Sequence, residues 1–381
     1  MIETSFFYDE LLKQNTDFFA GVPDSLLKSF CAYIADNAAD KKYIITVNEG
    51  SAIALASGYH LATGKIPLVF MQNSGLGNAV NPLLSLADGD VYRIPLVLVI
   101  GWRGEPGVHD EPQHIKQGRV TRELLDAMEI PYVILAKDEE GAKKQIAECY
   151  AHIARTGAVF AFLVQKDTFS PYKMKKRQDD EALMSREEAI ETIVNAQAEN
   201  RNGKAGIIVS TTGMASRELY ELREKYGMGH ERDFLTVGSM GHASQIALGI
   251  ALQKPQLPVT ILDGDGAVLM HLGGMATLGA EKPDNIRHIV LNNGAHDSVG
   301  GQPTIADAGP IDLCGIARSC GYEQVFCVRT KDELKRVLND GKNGLTFIEI
   351  KVKKGVRNDL GRPQSTPEEN KAALMRYMRQ F

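Results

Sequence analysis

Short, strongly hydrophobic runs recur along the chain, with amphipathic stretches between them. The runs occupy residues 66–71, 94–100, 130–136 and 158–164, then 205–210, 257–262, 286–291 and 345–352. Runs this apolar, alternating with helical patterns, are typical of strands buried on both faces of a parallel sheet. The pattern therefore predicts an α/β fold built from two doubly wound parallel-sheet domains.

A polar segment separates the two groups of runs. The string KDTFSPYKMKKRQDDEALMSREE, residues 166–188, is highly charged and interrupted by a proline, as linkers commonly are. A chain of 381 residues also exceeds what one hydrophobic core usually organises. We therefore predict a first domain at 1–170, a linker at 171–188 and a second domain at 189–381.

The two halves can be overlaid without a gap by adding 191 to the residue numbers of the first. Identical residues then coincide where backbone geometry restricts the choice of side chain, including Gly50 with Gly241, Pro67 with Pro258, and Gly75 with Gly266. Chance similarity between two α/β patterns is the alternative explanation. We favour a duplicated unit, whose ligands should lie at the carboxyl ends of its strands.

Composition and charge exclude several classes of function. The chain is 44% hydrophobic and 24% charged, with a net charge of −5, so neither nucleic acid nor an acidic membrane surface is an expected partner. The first residues are acidic rather than basic, and no apolar stretch approaches the roughly 18 residues of a membrane helix, so we expect a cytoplasmic protein. Five cysteines without a C-x-x-C pair predict reduced thiols rather than a disulfide framework or zinc knuckle.

Two polar turns follow neighbouring apolar runs in the second half. The first is GDG at 264–266 and the second is NN at 292–293, so Asn293 follows Asp265 by 28 positions. This spacing leaves room for one helix at 268–280, a turn and a strand. A strand-helix-strand unit returns both turns to the same edge of a parallel sheet. GDG alone usually marks only a turn. Carboxylate and amide oxygens together suit Mg²⁺, while the glycines and a helix start favour phosphate.

The segment 264–293 resembles the G-D-G and N-N motif of the pyruvate decarboxylase-like thiamine diphosphate enzymes. The resemblance implies two domains of the thiamine diphosphate-binding type, with thiamine diphosphate and Mg²⁺ as cofactors. It implies Mg²⁺ ligands at Asp265, at the Asn293 side chain and at the Ala295 carbonyl. Further cofactor contacts would lie at Gly264, Gly266 and Ala267.

Two other segments resemble cofactor-binding parts of the same family. In VGSMG, residues 237–241, the Gly238 carbonyl would accept a hydrogen bond from the aminopyrimidine and Met240 would hold the cofactor bent. In VNEGSAIALASGYHLATGK, Glu49 would be the catalytic acid against the pyrimidine ring, although a solvated helix cap is the alternative. The family commonly takes this acid and the diphosphate site from different subunits. The resemblance thus implies a homodimer or higher homo-oligomer with active sites between subunits.

A Gly- and Pro-rich loop after the 94–100 run carries candidate substrate residues. The loop GWRGEPGVHDEPQH, residues 101–114, carries polar side chains that could anchor an anion or move a proton. Arg103 and Asp110 are the candidate substrate-binding residues, and His109 and His114 are the candidate catalytic residues. A solvated loop with incidental charges is the alternative. Near the chain end, Arg357 and Arg362 in GVRNDLGRPQSTPEENK could also bind an anion, unless this segment is a surface tail.

Two further pairs of polar residues in the first half are candidate substrate residues. Asn73 and Ser74 in MQNSGLGN come directly after the 66–71 run, and Asp24 and Ser25 lie in GVPDS. Each pair could face a substrate or could simply cap a helix.

These strings, with FFAGVPDSLL at 18–27 and NNGAHDSVGGQPT at 292–304, are similar to the phosphonopyruvate and sulfopyruvate decarboxylases over residues 5–375. The similarity implies a carboxy-lyase of phosphonate biosynthesis that acts on a small 2-oxo acid carrying a phosphonate. Sulfopyruvate decarboxylation and a noncatalytic thiamine diphosphate-binding subunit are the alternatives.

The chain departs from the larger members of the family in two ways. A linker of roughly 20 residues leaves no room for their middle domain. Their adjacent histidine pair is missing, so whether His109 and His114 transfer protons stays open. A nicotinamide-dependent oxidoreductase is disfavoured because no G-x-G-x-x-G opens a helix after a strand.

Overall fold

The computed structural model describes residues 1–175, 182–199, 206–340 and 344–381. The chain divides into two compact units, Met1–Arg177 and Gln178–Phe381. This division falls within the predicted linker 171–188, of which residues 176–181 lie outside the described residues. The start of the predicted linker contacts the first unit, since the Lys175 amide donates to the Asp36 carboxylate at 2.9 Å.

The first unit is a six-stranded parallel sheet with helices on both faces. Its strands are β1 (Phe19–Gly21), β2 (Tyr43–Ile45), β3 (Leu68–Gln72), β4 (Val97–Gly101), β5 (Tyr132–Ile134) and β6 (Phe160–Val164). Its helices are α1 (Thr4–Lys13), α2 (Lys28–Asn37), α3 (Glu49–Thr63), α4 (Leu76–Pro82), α5 (Pro112–Ala127) and α6 (Glu139–Thr156). The strands lie in the order β2-β1-β3-β4-β6-β5.

The second unit has a six-stranded parallel sheet and a small hairpin. Its strands are β7 (Ile207–Ser210), β8 (Asp233–Leu235), β9 (Val259–Gly264), β10 (Ile286–Asn292), the hairpin strands β11 (Ala295–His296) and β12 (Gln302–Pro303), β13 (Gln324–Val328) and β14 (Thr346–Lys351). Its helices are α7 (Arg186–Glu199), α8 (Met214–Lys225), α9 (Ala243–Gln253), α10 (Asp265–Met270), α11 (Gly273–Glu281), α12 (Ile305–Ala308), α13 (Leu313–Ser319), α14 (Lys331–Asn339) and α15 (Pro367–Met378).

The two large sheets share one strand order. Read from the opposite edge, the second sheet is β8-β7-β9-β10-β14-β13, which repeats the order of the first strand by strand. Adding 191 to β3 gives 259–263, within β9, and adding 191 to β4 gives 288–292, within β10. This correspondence agrees with a duplicated unit. The predicted α/β class with two doubly wound parallel sheets is confirmed.

The hydrophobic runs are strands because both faces of each strand are covered. In β3, Phe70 packs into the core cluster on one face of the sheet, whereas the adjacent Met71 packs into the cluster on the other. The same alternation separates Val99 from Ile100 in β4. A strand without a solvent face needs no polar positions, which explains the continuous apolar pattern.

Four strands of the large sheets escaped prediction from the hydrophobic pattern. Strands β1, β2 and β8 are only three residues long, and β13 is an edge strand with partly exposed residues. Such short or half-covered strands provide too few apolar positions for periodicity to register.

Two helix boundaries also differ from the sequence prediction. The single helix predicted at 268–280 is two helices, α10 and α11, which break at His271 and Leu272 beside the pair Gly273–Gly274. Glycine costs backbone entropy in a helix, so this is a favourable place for the chain to break. Helix α7 begins at Arg186, ahead of the predicted domain start at 189. Among the described residues, no helix is both long and apolar enough to cross a bilayer.

Candidate active site

The two polar turns of the second unit lie side by side. Strands β9 and β10 pair in parallel, so Asp265, the first residue of α10, and Asn293, directly after β10, emerge at the same edge of the sheet. The β11–β12 hairpin then turns the chain back over this edge. There the Thr304 hydroxyl donates to the Asp265 carboxylate, and the Thr304 amide donates to the Gly294 carbonyl at 2.9 Å. Thr304 therefore joins the GDG turn to the NN turn.

Asp265 is a desolvated carboxyl group. The residue is only 2% exposed, and burial raises the pKa of its carboxyl group to about 6. The Thr304 hydrogen bond and the positive charge of Lys351 act in the opposite direction and lower the pKa. A buried carboxylate favours a cation that restores the lost solvation. The nearby amide of Asn293 and carbonyl of Ala295 are oxygen donors of the kind that Mg²⁺ prefers, so the residues present fit this ion.

The Asn293 amide is held in a fixed orientation. Its Nδ2 donates to the Asp297 carboxylate at 2.8 Å, and its Oδ1 accepts from the Ala295 amide at 3.0 Å. Asp297 is in turn bound by the Arg186 guanidinium at 2.6 Å. Sequence reasoning missed Asp297, Arg186 and Thr304. Asp297 and Thr304 carried a signal, since both lie in the string NNGAHDSVGGQPT at 292–304 that resembles the family.

The predicted pyrimidine-binding segment packs against the start of α10. Gly238 and the partly exposed Met240 lie in the turn after β8. Gly241 has φ of 85°, and a Cβ there would lie 2.8 Å from the Ala267 carbonyl oxygen and 2.7 Å from the His271 ring. Only glycine allows this turn to approach the helix so closely. The remaining predicted cofactor contacts lie at the same helix start: Gly264, Gly266 and Ala267.

Glu49 of the first unit is a buried acid rather than a solvated cap. It is the first residue of α3, where the cap is provided by the Asn48 side chain, which accepts from the Ser51 amide at 2.8 Å. Glu49 is 5% exposed and accepts one hydrogen bond from Asn78 Nδ2 at 2.8 Å. A Cβ on Gly75 would collide with the carboxyl group. Burial raises the pKa of Glu49, while the Asn78 hydrogen bond acts in the opposite direction.

Residues from three adjacent strands form a polar cluster in the first unit. Asp24 follows β1, and its carboxylate accepts from Gln72 Nε2 at the end of β3 at 2.6 Å. Arg103 follows β4 and donates from Nη1 to the Ser25 hydroxyl at 2.7 Å. Burial raises the pKa of Asp24, and nearby Arg103 lowers it by a smaller amount. Gln72 was not among the predicted site residues.

Asn73 and Asp110 fix the loop that carries Arg103. Asn73 Nδ2 donates to the Arg103 carbonyl at 2.8 Å, and Asp110 accepts from the Arg103 guanidinium Nε at 2.8 Å. Ser74 is exposed, and its hydroxyl donates to Gln72 Oε1 at 2.7 Å. The structure thus brings together five of the predicted substrate residues, Asp24, Ser25, Asn73, Arg103 and Asp110, and leaves Ser74 at the rim.

The two candidate histidines lie in different surroundings. His109 is exposed on the loop, whereas His114 is 8% exposed and lies in the first turn of α5, not in the loop as predicted. Pro112 starts α5 because its fixed φ suits the first helical position. Burial, with a further contribution from Arg103, lowers the pKa of His114 to about 4. His114 Nδ1 has no hydrogen-bond partner among the described residues.

The two arginines near the chain end are not equivalent. Arg357 forms ion pairs with the carboxylates of Glu187, Glu221 and Asp359, all within the second unit. Arg362 is exposed in the segment between β14 and α15. Its predicted role in substrate binding therefore stays a prediction.

Two family models match most of the chain. The thiamine pyrophosphate enzyme N-terminal TPP binding domain matches residues 4–130, and the thiamine pyrophosphate enzyme C-terminal TPP binding domain matches residues 211–350. The first match contains Glu49 and the Arg103 cluster. The second contains Asp265, Asn293 and the β11–β12 hairpin that follows them.

Named relatives resemble the chain along nearly its whole length. The phosphonopyruvate decarboxylase of Streptomyces viridochromogenes is 36% identical over 364 residues, covering 92% of this chain and 88% of its own. The phosphonopyruvate decarboxylase of Streptomyces hygroscopicus is 36% identical, and the match covers 95% of this chain and 89% of its own. The sulfopyruvate decarboxylase of Methanosarcina acetivorans is 28% identical, and the match covers 95% of this chain and 94% of its own.

Proposed function

Because this chain belongs to the thiamine pyrophosphate-dependent decarboxylases, we propose that it converts 3-phosphonopyruvate to phosphonoacetaldehyde and CO₂ with Mg²⁺ as its metal. The observation that carries the proposal is the identity along nearly the whole chain, which is 36% to the two Streptomyces phosphonopyruvate decarboxylases and 28% to the Methanosarcina sulfopyruvate decarboxylase. Sulfopyruvate decarboxylase beta subunits match at 36% and 37%, but over less than half of the chain. The reaction would serve phosphonate biosynthesis.

The second unit would hold the metal and the diphosphate. Asp265, the Asn293 side chain and the Ala295 carbonyl are the proposed Mg²⁺ ligands, with phosphate oxygens or water completing the shell. Thr304 and Asp297 would keep the Asp265 and Asn293 side chains in place through their hydrogen bonds. Ligands fixed in this way lose little conformational freedom when the ion binds.

The first unit would supply the acid that activates the cofactor. Thiamine diphosphate provides an electron sink for the pair of electrons left when CO₂ departs. Glu49 would hold a proton against the cofactor's pyrimidine ring, with Gly238 and Met240 contacting the same ring. Burial favours the neutral form of Glu49, which suits a side chain that gives and takes a proton.

The cluster around Arg103 would recognise the phosphonate. A guanidinium can present two donors to two phosphonate oxygens, and Ser25 and Asn73 add neutral polar groups beside it. Asp110 holds the Arg103 guanidinium in place. Burial raises the pKa of Asp24, which acts towards less repulsion between this carboxyl group and the doubly charged phosphonate group. Ser74 and Arg362 are retained as weaker candidates because both are exposed.

His114 is the better placed of the two proposed proton-transfer residues. Its buried, neutral ring could accept a proton at Nδ1, which has no partner among the described residues. His109 could act only if the exposed loop brought it to the substrate.

Parallel turnover assays test the proposal. The full chain, with thiamine diphosphate and Mg²⁺, is given 3-phosphonopyruvate or 3-sulfopyruvate, and CO₂ release is measured at several substrate concentrations. We expect a higher kcat/KM for phosphonopyruvate. A higher value for sulfopyruvate would identify the alternative decarboxylase, and cofactor binding without turnover of either substrate would identify a noncatalytic subunit.

The proposal includes a homodimer or higher homo-oligomer with active sites between subunits. Light scattering during size-exclusion chromatography measures the assembly. A monomer that retains full activity would remove this part of the proposal.

A further inference from the structure

Two thiols and a carboxylate that have no part in the proposed function converge in the second unit. Cys314 on α13, Cys327 on β13 and Glu349 on β14 have ligand atoms that all lie within 4.8 Å of one another. Cys327 and Glu349 are directly opposite in the parallel pairing of β13 with β14, so their side chains share one face of the sheet. Helix α13 crosses the same face and adds Cys314.

The two oxygens of Glu349 have different surroundings. Oε1 accepts from Asn292 Nδ2 at 2.7 Å and lies 2.6 Å from Lys351 Nζ. Oε2 faces the Cys314 sulfur at 3.6 Å. The carboxylate is therefore held through one oxygen while the other is directed at the thiols.

The distance between Cys314 Sγ and Glu349 Oε2 matches the distance between two ligand atoms of a tetrahedral metal site. With a Zn–S bond of about 2.3 Å and a Zn–O bond of about 2.0 Å, tetrahedral geometry separates the sulfur and oxygen ligands by about 3.5 Å. The Cys314 Sγ to Glu349 Oε2 distance is 3.6 Å. Cys314 and Glu349 are buried, whereas Cys327 is exposed and leaves a route for an ion to enter.

We propose that Cys314, Cys327 and Glu349 form a binding site for a thiophilic divalent cation of the Zn²⁺ class, separate from the Mg²⁺ site at Asp265. Binding forms two metal–sulfur bonds and one metal–oxygen bond, with water as a fourth ligand. Two thiol protons pass to solvent, and no electron is transferred. Sulfur ligands select such ions over Mg²⁺, which prefers oxygen.

A disulfide between the same cysteines is less favoured. A disulfide would remove the Cys314 thiol proton that is directed at Glu349 Oε2 and would give that oxygen no partner. A metal ion uses all three groups and can displace the thiol protons itself.

Cobalt binding to the reduced, full-length protein tests the site. Co²⁺ is added to metal-free protein in the presence of excess Mg²⁺ and without thiamine diphosphate, and the near-ultraviolet band of thiolate-to-cobalt charge transfer is recorded. We expect saturation at one Co²⁺ per chain and displacement by Zn²⁺. No band in the reduced protein, or a band abolished by Mg²⁺, would overturn the proposal.

Matched variants assign the ligands. Cys327→Ser should abolish the band, and Glu349→Gln, which replaces a charged oxygen ligand with a neutral one, should weaken cobalt binding by at least the roughly tenfold that a supporting residue contributes. Cys320→Ser is the control because Cys320 is a cysteine of the same unit outside the cluster, and it should leave the titration unchanged. Circular dichroism and thermal melts confirm that each variant folds. Full cobalt binding by folded Cys327→Ser would refute the site, while leaving the decarboxylase proposal intact because turnover is not the readout.

Discussion

The two units place different chemistry on one backbone plan. Adding 191 to Ser74, in the turn after β3, gives Asp265, in the turn after β9, and adding 191 to Glu49 gives Met240. The turn that carries an exposed hydroxyl in the first unit thus carries a buried carboxylate in the second. The shared strand order fixes where side chains leave the sheet, and the residue at each place decides whether the unit can bind a metal or move a proton.

The two buried acids illustrate these two roles. Glu49 and Asp265 each begin a helix, and burial raises the pKa of both. Each acid also accepts a hydrogen bond that favours its charged form, from Asn78 at Glu49 and from Thr304 at Asp265. The two environments are therefore alike, and under the proposed function the acids differ in what binds beside them: Glu49 would exchange a proton with the cofactor ring, whereas Asp265 would lose its proton to a cation.

The largest expected effect separates these two roles. Glu49→Gln should lower kcat by roughly 10² to 10⁴-fold, the usual contribution of a general acid–base, while leaving thiamine diphosphate affinity nearly unchanged. Turnover and calorimetric cofactor binding are the two measurements. The matched control is Glu139→Gln, which changes an exposed acid in the first turn of α6. This variant should change neither turnover nor cofactor affinity. Near-normal turnover by Glu49→Gln would contradict the proposed role of Glu49 in proton transfer.

Asp265→Ala should have the complementary effect. Loss of a direct ligand should weaken Mg²⁺ and diphosphate binding together by more than about a hundredfold, since even supporting residues contribute ten- to a hundredfold. Titration of thiamine diphosphate at several Mg²⁺ concentrations measures both affinities. Asp284→Asn, exposed in the turn between α11 and β10, serves as the control. If Asp265→Ala binds both ligands normally, the metal site is elsewhere.

The acid sensitivity of the first unit should depend on His114. Its pKa is about 4 in the folded protein, against an ordinary value of 6.5, so between these values the unfolded chain binds a proton that the folded chain does not. Stability should therefore fall as the pH decreases through this window, by at most about 3 kcal/mol. His114→Gln should remove that part of the decrease in chemical denaturation, and His109→Gln, exposed in the adjoining loop, should not. An unchanged pH profile in His114→Gln would contradict this account.

Arg103→Lys should raise the KM for phosphonopyruvate about ten- to a hundredfold, with a smaller change in kcat. Lysine retains the charge but cannot donate from the two positions of a guanidinium. Steady-state kinetics give both constants, and Arg119→Lys on the exposed face of α5 is the control. An unaltered KM would place the phosphonate away from Arg103.

Thr304→Val should produce the smallest change, a loss of Mg²⁺ affinity of about tenfold, because it removes a hydrogen bond to the ligand Asp265 rather than a ligand. Thr277→Val, at an exposed position of α11, controls for the loss of a hydroxyl. Affinity equal to that of the unchanged protein would mean that Thr304 does not support the metal site.

Long buried strands were predictable because their composition reflects their surroundings. The 66–71 and 94–100 runs became β3 and β4, each covered on both faces. The three-residue strands β1, β2 and β8 were not predicted because they contain too few residues for a period to register, whereas the equally short β5 lies inside the longer apolar run 130–136.

The sequence by itself determined the α/β class, the internal repeat and the spacing of Asp265 and Asn293, because periodic burial and turn chemistry are local properties of a chain. Only the tertiary structure decided that Thr304 meets Asp265, that Asp297 orients Asn293, and that Cys314 and Cys327 face Glu349. These contacts join residues from different elements. Their geometry is set by how strands pair and helices pack, which no local pattern of residues specifies.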